Sequence, residues 1–170
     1  MSFKMENVPD VLEELIIISE RFYDDFISDM ADFRSFIRMN YDNVITGRSI
    51  LEDMYEKLNW LEELYLGGVF RWMDYAVSEL EDLEDEEEGE VIASMSIALD
   101  HLNDADEALA EAEIEIDSLS SNFFSILEKE KVKMDEEKQR ELSDYIYDFA
   151  EKGEAIREYR DNIKGLMNRL

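Results

Sequence analysis

Of the 170 residues, 45 are Asp or Glu and 17 are Lys or Arg, and the chemistry available to the chain is set by how those carboxylates are spaced. Asp100, Asp104, Glu107, Glu111 and Glu115 follow one another at intervals of four, three, four and four. At 100° per residue they fall within an arc of about 80° on a helix. Asp106, Glu113 and Asp117 form a second row beside them. The eight carboxylates span about 25 Å of helix, one per ~3.2 Å, close to the 3.4 Å between phosphates along one DNA strand. Ahead of them, residues 81–90 hold eight acids in ten positions, among them Glu84, Asp85, Glu86, Glu87 and Glu88. Such an array can attract a cationic surface. Like charges at i,i+4 destabilise a helix by about 0.2–0.5 kcal/mol per pair, and a cationic partner would relieve that repulsion. The alternative reading of the same residues is a solvated helix face.

Other chemistry is thinly supplied. The absence of cysteine rules out disulfides, thiolate metal sites and cysteine nucleophiles. His101 is the sole histidine, so a Ser-His-Asp arrangement has no spare base, and a ferritin-like di-iron site would need two Glu-x-x-His motifs. His101 lies next to Leu102, a position expected at the edge of a core. Neither a phosphate-binding glycine loop of the G-x-x-x-x-G-K form nor G-x-G-x-x-G occurs. Acidic pairs such as Glu141 with Asp144 and Glu158 with Asp161 could hold magnesium, but 45 acids generate such pairs by chance. A calcium loop starting at Glu84 would put Met95 where a bidentate Glu is required. The expectation is a protein without catalytic residues, metal or cofactor.

The formal net charge of −28 is unevenly distributed. Between Arg71 and Lys129 there is no Lys or Arg at all against 19 acids, whereas residues 131–170 carry 10 acids and 9 Lys or Arg. Acidity of this size repels nucleic acid and anionic membranes directly, and leaves basic proteins as the expected partners. In the last quarter of the chain Glu136 with Arg140, Asp148 with Lys152, Glu154 with Arg157 and Asp161 with Lys164 stand at pairing distance within one helix.

These side chains need long elements to position them, and the sequence supplies few interruptions: one proline and six glycines. With 45% apolar residues the chain can bury a core, and its length suits a single domain over 1–170. Pro9 in a first turn opens a helix whose face carries Leu12, Leu15, Phe22, Phe26, Met30, Phe33 and Ile37, ending near Met39. Residues 40–47 connect it to a second unit, 49–85, where Ser49-Ile50-Leu51-Glu52 has the form of a capping box. Leu51, Met54, Leu58, Leu61 and Tyr65 make its stripe, and Gly67-Gly68 either kinks or splits it, the kink being favoured. A third unit, 91–127, repeats Met95, Leu102, Leu109, Ile116 and Phe123 every seven residues; a fourth, about 135–169, repeats Leu142, Phe149, Ile156, Ile163 and Leu170. Four long units joined by short connectors, the second of them the acidic stretch 81–90, predict an all-α fold, an up-down-up-down four-helix bundle. An extended hairpin completed by dimerisation is the rival.

The Met1-Ser2-Phe3-Lys4-Met5-Glu6 start has no apolar targeting run, and the longest uncharged run, 118–127, is half of what a membrane span needs. A cytoplasmic protein is expected, in the host cytoplasm if viral. The layout leads to the expectation of an acidic interaction or inhibitor protein that imitates nucleic acid and occupies the cationic groove of a DNA- or RNA-binding protein, with Asp100, Asp104, Glu107, Glu111, Glu115 and residues 84–88 making the contact. An immunity or antitoxin protein against a basic toxin would use the same electrostatics. A self-assembling scaffold held by the heptad seams is the alternative from another class. The aromatics around Gly67-Gly68 and the Ile16-Ile17-Ile18 run leave room for a homo-oligomer.

Overall fold

The computed structural model describes residues 5–170 and, of Glu84, the backbone alone; Met1–Lys4 lie outside the described residues. The protein is all-α. Helix α1 (Val8–Phe22) continues through a π segment (Tyr23–Ser28) into α2 (Asp29–Met39). Helix α3 (Arg48–Leu61) continues through a second π segment (Glu62–Leu66) into α4 (Gly67–Leu80). A 3-10 turn (Leu83–Asp85) leads to α5 (Glu88–Glu128), 41 residues and about 60 Å long, and α6 (Glu136–Arg169) completes the chain.

Helix α1 packs against α4, and α2 against α3, so the first two helical stretches run antiparallel. Helix α5 lies along α4 and α3 on one side and α6 on the other, and α6 also touches α1 and α2. The connectors 40–47 and 129–135 meet at one end, where Ile45 donates its N–H to the Lys133 carbonyl and Lys133 donates its own to Thr46. At the other end Asn7 Nδ2 donates to the carbonyl of Arg169 at 2.9 Å.

The heptad rows of the sequence are core. Met95, Leu102, Leu109, Ile116 and Phe123 are fully buried, as are Leu142, Ile156 and Ile163. A second row on α5 is buried too, completely at its centre in Ala98, Ala105 and Ala112. Phe22 and Phe26 stack at 4.7 Å with Tyr159 edge-on to both, and Phe33, Phe123 and Phe149 form a second aromatic cluster in the core. Gly153, buried on α6, lies so close to α5 that an added Cβ would stand 2.7 Å from Asp117 Oδ1.

The Gly67-Gly68 pair does not split the second unit, and three other local expectations are corrected. Gly67 and Gly68 are both helical and carry the chain straight from the π segment into α4, so they are not a turn; Gly67 donates its N–H to the Glu62 carbonyl, the closing bond of the π segment. The extra residue has a cause in the stripe, because the buried side chains run Leu58, Leu61, Leu66, Val69 and Met73. The five-residue gap from Leu61 to Leu66 exceeds an α turn and matches an i→i+5 turn. Tyr65, assigned to the core above, is only half-buried. Ser49 forms no capping box, since α3 starts one residue earlier: Gly47, at φ +99°, is the N-cap, and its carbonyl accepts from Ile50 and Leu51. The second unit ends at Leu80, not residue 85.

Candidate functional site

On α5 the two buried rows leave an opposite face, and the five-residue stripe lies there. Asp100, Glu107 and Glu111 are exposed, while Asp104 and Glu115 are partly covered. Among the described residues none of the five has a cation within ion-pairing distance; the one side-chain hydrogen bond they receive is from Asn103 Nδ2 to Glu107 Oε1, at 3.4 Å.

The second row behaves differently. Asp106 takes Arg160 Nε at 3.0 Å and Glu113 takes Arg157 Nε at 3.0 Å, both across to α6. That contact raises the affinity of Arg160 for its proton, chiefly through the hydrogen bond to Asp106. Six unpaired carboxylates therefore remain of the eight, or about one per 4 Å over the same length, sparser than the phosphate spacing.

The bases of α6 mostly serve its neighbours. Lys152 reaches Asp29 on α2 at 2.6 Å, Arg157 reaches Glu113, and Arg169 reaches Glu14 on α1. The expected pairs Asp148–Lys152, Glu154–Arg157 and Asp161–Lys164 do not form; only Glu136–Arg140 does, at 3.8 Å. Side chains at the helix seam find a carboxylate on the adjacent helix closer than one a turn away, which sequence spacing within one helix could not reveal.

The acidic stretch expected as a connector over 81–90 ends at Glu87, since Glu88–Glu90 already belong to α5; Asp85, Glu86, Glu87 and Glu88 are exposed, and nothing is described of the Glu84 side chain. Glu88 and Glu90 occupy the first turn of α5, where carboxylates oppose the positive end of the helix dipole. Glu86 and Glu90 crowd one another: a hydrogen bond to Glu90, then its charge, holds the Glu86 carboxyl above the usual carboxylate range. The connector and the stripe are not one patch. Glu88 lies about 18 Å along the axis from Asp100 and is rotated by about 120°, so a partner touching both must span roughly 40 Å of α5.

An aromatic rim to this face follows from the sequence reading, but not the residues that form it. Half-buried His101 stacks on Trp72 at 5.4 Å and meets Tyr75 at 5.7 Å, both on α4. Its Nδ1 is buried without a hydrogen-bond partner. Ile97 and Ile114, 43% and 67% exposed, put apolar contacts among the carboxylates. The spacing of Trp72 and Tyr75 was visible in the sequence, but which helix lies beside them was not.

Among the described residues no group of three or more His, Asp or Glu side chains is arranged to hold a metal ion, and no helix is long and apolar enough to cross a membrane. No protein-family model, curated protein or solved structure matches the chain.

Proposed function

We propose that this is an acidic interaction protein, an up-down-up-down four-helix bundle whose α5 face imitates nucleic acid and occupies the cationic groove of a DNA- or RNA-binding protein. One observation carries the reading: among the described residues Asp100, Asp104, Glu107, Glu111 and Glu115 lack cationic partners, while Asp106 and Glu113 on the same helix are matched by arginines of α6. Intramolecular pairing is thus in use on this helix and stops at its outer face. Trp72, Tyr75 and Ile114 add the apolar contacts that would distinguish one cationic partner from another. In this reading the protein acts without catalysis or cofactor, and a cytoplasmic location would give it access to such a partner.

The scaffold alternative drew on the heptad rows, and those rows are buried within the chain. The immunity or antitoxin alternative uses the same face and differs in the partner. Affinity capture with the wild-type chain and with Asp104→Asn/Glu107→Gln/Glu111→Gln separates the readings. Nucleic-acid-binding proteins should be retained by the wild type, released by moderate salt and lost from the variant. A toxin in their place would favour the immunity reading, and identical recovery by both baits would refute a role for this face.

A further inference from the structure

A second surface lies away from the α5 face, in the groove of about 490 Å³ between α1 and α4. Its floor is largely apolar: Ile16 and Val77 line it with one polar residue, Ser19, and Tyr23, 48% exposed, meets Phe70 with ring centroids 5.5 Å apart. Its rim is acidic on both sides, with Glu20 and Asp24 along one wall and Asp74 and Glu81 along the other. No base lines the groove, and among the described residues none of the four rim carboxylates makes an ion pair or a side-chain hydrogen bond.

The dimensions suit one kind of occupant. Phe70 to Glu81 covers about 16 Å of helix axis, three turns of a helix laid alongside. Two antiparallel helices offer a third its natural seat, with its apolar side chains at i, i+3/i+4 and i+7 entering the cleft. Carboxylates on both walls select for positive charge on both flanks of that apolar stripe, and reject a helix whose flanks are acidic. We infer that the α1–α4 groove is a docking site for a cationic amphipathic helix of a partner protein, presenting an apolar stripe flanked on both sides by Lys or Arg. The inference is independent of the nucleic-acid mimicry assigned to α5 and would hold if that reading failed.

The test uses the full chain and two fluorescein-labelled 14-residue synthetic peptides of identical composition. One places leucines at helical spacing between lysine flanks; the other is scrambled so that no stripe exists. In fluorescence polarisation at about 150 mM salt, where diffuse attraction to an acidic protein is screened, the striped peptide should bind at least about tenfold more tightly. Asp24→Lys with Asp74→Lys should weaken it about tenfold or more, and the same charge reversal at Glu137 and Asp144 of α6 should change it less than about twofold. If the double lysine variant fails to fold by circular dichroism, Glu20→Gln with Asp24→Asn replaces it, with about a threefold loss expected. Amide shifts on binding should cluster in 16–24 and 70–81. Equal binding of the two peptides, equal loss at the groove and at α6, or shifts centred on α5 would each overturn the inference.

Discussion

Tyr159 donates its hydroxyl to Asp25 Oδ2 at 2.8 Å, from a ring packed edge-on to Phe22 and Phe26. Burial, and then this hydrogen bond, hold the phenol well above its ordinary value of 10.0. In the unfolded chain the phenol ionises near pH 10, whereas in the folded protein it keeps its proton, so folding is coupled to proton retention above that pH. The stabilisation is complete below about pH 10 and declines as pH rises toward the folded value. Melting temperature should therefore fall on the alkaline side. Tyr159→Phe should flatten part of that fall while costing about 1 kcal/mol at neutral pH for the lost hydrogen bond; an unchanged alkaline limb would contradict the assignment. Tyr41 and Tyr145 are raised also, by burial first, so part of the slope remains. Little of this was legible beforehand, because Asp25 and Tyr159 are 134 positions apart and only the fold brings them together. His101 was legible as an edge-of-core residue from its place beside Leu102, but not the Trp72 ring it stacks on.

At the scale of elements, the seven-residue rows were legible because a strict repeat on a helix has one packing consequence, a continuous seam. The π segments were less so. Their trace is arithmetic: Phe22, Phe26 and Met30 are spaced by two successive fours, and Leu61 to Leu66 by a five, and both overrun an α turn. The glycines now divide by environment. Gly68 is helical with open space where a Cβ would stand, so Gly68→Ala should raise stability by about 0.5–1 kcal/mol. Gly47 sits at φ +99°, and a Cβ there would lie 2.4 Å from the Lys131 carbonyl oxygen. Gly47→Ala should cost more than about 1 kcal/mol and loosen the joined connectors. Urea denaturation of the two single variants checks both signs, and equal effects would mean the connector geometry is wrong. On α5, Asp104→Asn/Glu107→Gln/Glu111→Gln should leave the melting temperature unchanged or slightly higher, since it removes only repulsion from an outer face. Asp106→Asn with Glu113→Gln should lower stability by about 1 kcal/mol, because each removal leaves an arginine of α6 without its carboxylate.

Across the whole molecule, charge is sorted by helix. The bases of α6 neutralise acids on α1, α2 and α5, and the outer face of α5 is outside their reach. The imbalance between quarters of the chain was plain from the sequence, but which acids are neutralised was not, since none of these four pairs was foreseen and two of their bases, Lys152 and Arg157, were assigned to carboxylates within α6. A molecule so arranged should associate with cationic proteins in a strongly salt-dependent way, with the dependence carried by α5 and not by total charge. The direct measurement is a competition titration: a captured nucleic-acid-binding partner is loaded with a labelled duplex, and the wild-type chain or the Asp104/Glu107/Glu111 variant is added. Mimicry predicts that the wild type displaces the duplex stoichiometrically and that the variant needs at least about tenfold more protein to do so. Displacement by both chains at the same concentration, or a ternary complex in which duplex and protein are bound together, would contradict it.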